Sequence, residues 1–209
     1  MDHRRAIGHL RKADGKLASV IDAVGNCTFA PAEQLAHFTA ISRSIIFQQL
    51  SGKAASTIYG RFAALFPDDT PVADTILNFP DEKLRAVGLS RQKVSYLRDF
   101  SARVSAGEVP IDTLGDLSDQ GIIAVLTSVK GIGRWTAQMF LIFRLGRPDV
   151  LPDLDLGIQK GVQRAYRMRK LPSPKRVIEV GAKWAPYRTI ASWYLWRSLD
   201  TPTENRQGA

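Results

Sequence analysis

Apolar residues recur at three- and four-residue spacing along most of the chain, as in Leu35, Phe38, Ile41 and Ile45, and strand-length alternation is hard to find. The pattern predicts a nearly all-helical protein, with helices near 32–50, 53–66, 81–87, 91–105, 118–128, 133–145, 155–169, 174–184 and 187–199. Punctuation supports these bounds. Pro31 and Pro80 read as first-turn prolines, Gly88 stops the helix ending in Leu84-Arg85-Ala86-Val87, and Ser173-Pro174 reads as a cap followed by a first-turn proline. Connections are short, so the helices should pack compactly, while the polar tail 201–209 should fray.

The segment near 118–145 is a helix, a tight turn and a second helix, with Lys130-Gly131-Ile132-Gly133 at the turn. Glycines on both sides of Ile132 allow positive φ and let a bulky ligand approach the backbone. Amides exposed at the start of the following helix, aided by its dipole, suit an anion. Such a turn would hold nucleic-acid backbone without reading base edges. A bare Gly-x-Gly is equally a plain interhelical turn, so its surroundings must decide.

Composition narrows the options. A chain of 209 residues that is 44% hydrophobic can bury one large core or two small ones. No run is long enough to cross a bilayer, and the charged N-terminus lacks a leader pattern, so the expectation is a soluble cytoplasmic protein with no membrane partner. Cys27, the single cysteine, excludes a disulfide within the chain, a multi-cysteine zinc site and a four-cysteine iron–sulfur cluster. His3, His9 and His37 form no ligand pattern, which leaves a metal- or thiol-dependent hydrolase with little support. Lys and Arg outnumber Asp and Glu by 29 to 20, a formal charge of +9 that points to a polyanionic partner.

The string LTSVKGIGRWTAQMFLIF followed by DVLPDLDLGIQKG resembles the helix-hairpin-helix and Gly-Pro-Asp signature of the DNA glycosylase superfamily, within it the 3-methyladenine DNA glycosylase II branch. The likeness extends through IIFQQLSGKAASTIYGRF, GLSRQKVSYLRDF and WAPYRTIASWYLWR, from about Ile41 to Arg197. It implies an all-α fold of two helical lobes with the active-site cleft between them. The terminal lobe is expected over 1–38 with 146–209, and the central lobe over 39–145 with the hairpin near 118–145. The chain is similar to the compact, all-helical members rather than to those with an additional β-rich domain. The implied activity is flipping of alkylated purines, such as 3-methyladenine and 7-methylguanine, out of double-stranded DNA and hydrolysis of the N-glycosidic bond. The enzyme would be a monomer that needs no cofactor.

Residue roles follow from the likeness. The run Arg147-Pro148-Asp149-Val150-Leu151-Pro152-Asp153-Leu154-Asp155 precedes a new helix, and either Asp153 or Asp155 could simply cap it. Glycosidic cleavage develops oxocarbenium character on the sugar, which a carboxylate stabilises. Motif position assigns that task to Asp155 and leaves Asp153 to cap or orient. Asp155 could activate water or act by charge alone, and both roles need it ionised. Trp135 stands where bifunctional relatives carry a Schiff-base lysine, which implies base removal without strand cleavage. Trp135, Trp184 and Phe47 would line the base pocket, whereas Trp193, Tyr194 and Trp196 read as core. Leu50, between Gln49 and Ser51, would be the intercalating wedge. Lys53 and Arg134, with the amides around Gly131 and Gly133, would contact phosphates. The carbonyls of Thr127, Val129 and Ile132 would hold a structural monovalent cation. A non-catalytic DNA-binding module is the competing reading, and Asp155 beside an aromatic pocket is what it would not need.

Overall fold

The computed structural model describes residues 2–32 and 35–200; the tail expected at 201–209, and residues 33 and 34 of the expected 32–50 helix, lie outside them. Among the described residues regular structure is entirely helical, as expected: α1 (His3–Ala13), α2 (Gly15–Val24), α3 (His37–Phe47), α4 (Gly52–Ala63), α5 (Ala73–Asn78), α6 (Asp81–Ala86), α7 (Arg91–Ser105), α8 (Asp119–Thr127), α9 (Arg134–Phe143), α10 (Leu156–Tyr166), α11 (Pro174–Gly181) and α12 (Arg188–Asp200). None of these helices is long and apolar enough to cross a membrane. Two compact units form, one from 2–31 with 146–200 and one from 32–145.

In the 32–145 unit the apolar stripe of α3 faces α4, α7 and α9. Phe38 stacks on Phe100 at 4.8 Å, and His37 meets Phe140 edge-on at 5.6 Å. These contacts commit the whole of α3 to this unit, so its boundary falls at Pro31/Ala32 rather than at residue 38. Burial, with Arg144 nearby, lowers the pKa of His37. Ser90 and Ser118 start α7 and α8 by accepting the amides of Lys93 (3.2 Å) and Gly121 (3.1 Å). Lys93 of α7 donates to the Ile46 carbonyl at 2.5 Å, filling one of the acceptors that a helix C-terminus leaves open. Burial lowers the pKa of that ammonium.

In the other unit Asp14 separates α1 from α2 and caps α2 through the amides of Lys16 and Leu17, at 3.0 and 3.2 Å. At the start of α12, Asp149 accepts two bonds from the Arg188 guanidinium, at 2.7 and 2.8 Å, and one from its amide at 3.2 Å. Burial opposes the Asp149 charge, but Arg188 outweighs it and pulls the carboxyl below its usual range. Gly161 lets α10 and α12 approach, since a Cβ there would lie 2.8 Å from that of Leu195.

Three helices, α1, α2 and α5, were not expected. Their apolar signal is sparse: two residues are buried in each, Ala6 and Leu10, Leu17 and Ile21, Ala73 and Ile76. Pro80 is the N-cap of α6 rather than its first turn, and Pro31 precedes α3 by several residues. Leu35, counted into the α3 stripe, lies outside that helix and is exposed. At its other end α3 stops at Phe47, because Gln48 turns extended and Gln49 takes a left-handed φ of 57°.

Candidate active site

Only one of the hairpin glycines takes positive φ. Gly131, at φ 80°, follows α8, and a Cβ there would lie 2.2 Å from Cδ2 and Cε2 of the Tyr96 ring. Gly133 has φ −93° and is the N-cap of α9, with no side chain to accept the first amides and open space where a Cβ would stand. Two distant side chains pin the turn: Asp99 accepts the Lys130 amide at 2.9 Å, and Gln48 donates to the Gly131 carbonyl at 2.9 Å. Burial works against the Asp99 charge, but the Lys130 amide and Arg103 hold its pKa below the usual carboxylate range.

Gln48 therefore ties the hairpin to the loop after α3. In that loop Gln49 and Ser51 are exposed and Leu50 keeps 38% of its surface in solvent, and Lys53 is exposed in the first turn of α4. A left-handed non-glycine residue beside an exposed leucine is the kind of strain that collects at functional loops. Between the end of α3 and the start of α9 lies a cavity of 470 Å³ lined by Ser44, Phe47, Gln48, Gln49, Gly131, Trp135, Thr136 and Met139. Its size is that of a ligand pocket, roughly 300–1,000 Å³. Two expected pocket residues, Phe47 and Trp135, line it; Trp135 is 44% exposed, and the Arg43 guanidinium sits 4.0 Å over the Phe47 ring.

Trp184 is placed differently from Phe47 and Trp135. Wholly buried in the other unit, it donates from Nε1 to Asp14 Oδ2 at 2.7 Å. The same carboxylate accepts from the Tyr166 hydroxyl and lies 3.3 Å from the Lys183 ammonium. Burial of Asp14 is offset by these donors, which together hold its pKa low, while burial and Asp14 push the Tyr166 phenol far up. Within this unit the single polar atom of Trp184 is satisfied internally and its ring has no solvent-facing surface.

Asp155 is half-buried and is itself the N-cap of α10, so capping and candidate chemistry coincide in one residue. Its Oδ1 accepts from the Ile158 amide at 2.8 Å and from Trp196 Nε1 at 2.9 Å. Gly157 makes room for that pair, since a Cβ would lie 2.9 Å from both Asp155 Oδ1 and Trp196 Cδ1. Trp196, read from spacing as core, is therefore the residue that orients the acid; its half-exposed place near the end of α12 is invisible in periodicity. Asp153 is buried, and its carbonyl accepts from Gln159 at 3.1 Å. Arg134 is exposed at the start of α9, and Lys130 lies with its ammonium 3.9 Å from Asp99.

Three main-chain oxygens were expected to hold a cation. Val129 and Ile132 are buried, and the Val129 carbonyl accepts the Ile132 amide at 3.1 Å, using one of its two lone pairs. Among the described residues no group of three or more His, Cys, Asp or Glu could hold a metal ion.

Known proteins match this arrangement. Residues 42–186 match the family model described as HhH-GPD superfamily base excision DNA repair protein. DNA-3-methyladenine glycosylase 1 of Schizosaccharomyces pombe is 34% identical over 195 residues, which cover 91% of this chain and 85% of that one. A solved structure of the S. pombe 3-methyladenine DNA glycosylase in complex with abasic DNA superposes with a TM-score of 0.82 at 34% identity, covering 92% of this chain and 95% of that one. A DNA-3-methyladenine glycosidase from Bacillus halodurans superposes with a TM-score of 0.84 at 34% identity, covering 94% and 89%. The chain belongs to the HhH-GPD superfamily of base excision DNA repair proteins.

Proposed function

We propose that this protein is a monofunctional DNA-3-methyladenine glycosylase that removes alkylated purines from duplex DNA and leaves an abasic site. The observation that carries the reading is Asp155: a half-buried carboxylate at a helix N-terminus, held by one amide and one indole N–H in a chain of this family. Two fixed donors on Oδ1 set the direction of the carboxylate, so little reorganisation is needed as positive charge grows on the sugar. The acid then stabilises the oxocarbenium ion, activates the attacking water, or does both.

Each remaining part has a physical task. Extruding a base costs a few kcal/mol and least for a damaged one. Leu50 fills the gap left in the stack, and Gln49 supports the orphaned partner base. Phe47 and Trp135 offer aromatic faces, whose quadrupole favours a cationic methylated purine such as 3-methyladenine or 7-methylguanine. Gly131 and Gly133 bring the backbone close to a phosphate, with Ser51, Lys53 and Arg134 beside it. Carbonyl oxygens at Thr127, Val129 and Ile132 are neutral and hard, a donor set suited to a monovalent cation. Such an ion, when bound, supplies positive charge toward the same phosphate. Trp135 supplies no amine, so no Schiff base forms and strands stay intact until alkali or heat cleaves them. The protein works as a monomer in the compartment that holds the chromosome, the cytoplasm of a prokaryote.

The test is single-turnover release of 3-methyladenine from alkylated duplex. Asp155→Asn should lower release by more than about 10³-fold, the scale of losing the main charge stabiliser, while abasic-site DNA is still bound. Wild-type release rates in that variant would remove Asp155 from the mechanism, and absence of release by the wild type would return the chain to the class of DNA-binding modules.

A further inference from the structure

Positive charge is not spread evenly over this chain. Between Lys160 and Lys183 it carries eight lysines and arginines and one carboxylate, Glu179, so this stretch holds most of the +9 excess of the whole protein. Three of the eight are engaged locally: Arg164 donates to the Ser198 carbonyl at 2.5 Å, Arg176 pairs with Glu179 at 2.9 Å, and Lys183 pairs with Asp14. The other five, Lys160, Arg167, Arg169, Lys170 and Lys175, are all exposed and pair with no described carboxylate. Arg167, Arg169, Lys170 and Lys175 lie at the end of α10, in the connection to α11 and in the first turn of α11, and Lys160 lies within α10.

Arg167 adds a second sign. It closes α10 in the left-handed conformation, φ 53° and ψ 42°, where a side chain is strained and glycine or asparagine is usual. An arginine kept in a glycine position points to a use for its charge. Location adds a third. Asp155 and Arg167 bracket α10, whose 11 residues span about 17 Å, or about five phosphates along one strand at 3.4 Å each. A duplex presenting a sugar to Asp155 is long enough to reach the cations at the far end of the same helix.

We propose that the α10–α11 connection is a second DNA-backbone surface, separate from the glycine hairpin, which binds phosphates of undamaged duplex flanking the lesion. The proposal rests on the glycosylase reading above. Such a surface carries no sequence information, and it raises affinity for any DNA in a salt-dependent way. It would hold the enzyme on the duplex between lesions.

Binding of the full chain to an undamaged duplex, titrated from roughly 0.05 to 0.2 M salt, tests it through the slope of log affinity against log salt. Replacing Arg167, Arg169, Lys170 and Lys175 together by Gln should reduce that slope by about three and weaken binding at about 0.15 M salt at least tenfold. Arg167→Gly should reduce the slope by about one while melting no lower than wild type, because it relieves strain as it removes charge. This single variant keeps the test alive if the quadruple one folds poorly. Slopes equal to wild type in both variants overturn the second surface. Failure of wild type to bind duplex, or to release any methylated base, would instead overturn the functional reading itself.

Discussion

The turn between α6 and α7 and the turn between α8 and α9 are built on one plan. Each runs from a left-handed glycine, Gly88 at φ 106° or Gly131 at φ 80°, through a buried aliphatic residue, Leu89 or Ile132, to a small N-cap and then an arginine. Packing fixes both glycines, Gly88 against Ile58 and Gly131 against Tyr96. They differ at the cap. Ser90 gives its hydroxyl oxygen to the Lys93 amide, whereas Gly133 gives α9 no side-chain acceptor at all. One turn satisfies an amide of its helix from within, and the other leaves its helix start without a side-chain acceptor. Under the proposed function the same local shape would serve as a structural corner in one place and a grip in the other, with a single side chain making the difference.

The largest expected effect is at the first glycine. Gly131→Ala meets both positive φ and the Tyr96 ring and should cost about 3 kcal/mol of stability in urea melts, since strain and overpacking each cost about 1–3. Gly88→Ala also meets positive φ, but its nearest contact is the Ile58 side chain at 3.1 Å, so it should cost about 1–2 kcal/mol while sparing DNA binding. If Gly88→Ala abolished binding as well, the two turns would not divide labour as described.

Next comes the carboxylate that stitches the hairpin. Asp99→Asn should cost about 1–2 kcal/mol at neutral pH, the worth of a charge-assisted bond. The folded pKa of Asp99 is depressed, so its contribution is complete above the ordinary carboxylate value of about 3.9 and is lost as pH falls through the folded value. Melting curves of wild type and variant should therefore converge in acid. A gap that persists in acid would assign the stability to shape rather than charge.

Gly133→Ser converts the grip into a corner. A hydroxyl there would cap α9 as Ser90 caps α7, and affinity for abasic-site DNA should fall about tenfold, or about 1.4 kcal/mol, with folding stability nearly unchanged. Unaltered affinity would mean that the α9 amides do not meet the phosphate. The smallest effect is the reverse exchange: Ser90→Gly should cost only a few tenths of a kcal/mol and leave binding as it was.

Much of this was legible in the chain. The 91–105 helix coincides with α7 because a serine cap and a regular apolar stripe both mark it, and the Gly131-Ile132-Gly133 turn stands where the glycines put it. Legibility failed where meaning depends on a distant partner. Trp184 and Trp196 each stand in sequence between a cation and an apolar residue, yet one is bonded to Asp14 in the core and the other to Asp155. Gln48 and Gln49 are adjacent and chemically identical, and only the fold reveals that the first binds the hairpin carbonyl. The helices α1, α2 and α5 escaped notice because two buried residues each make too weak a stripe to detect.

Gly157 carries no side chain, and the space a methyl group would need there is occupied by the acid and the indole that steadies it. A saturation library selected for survival under methylating agents should therefore find position 157 nearly as intolerant as position 155, with variants that fold and yet lose protection.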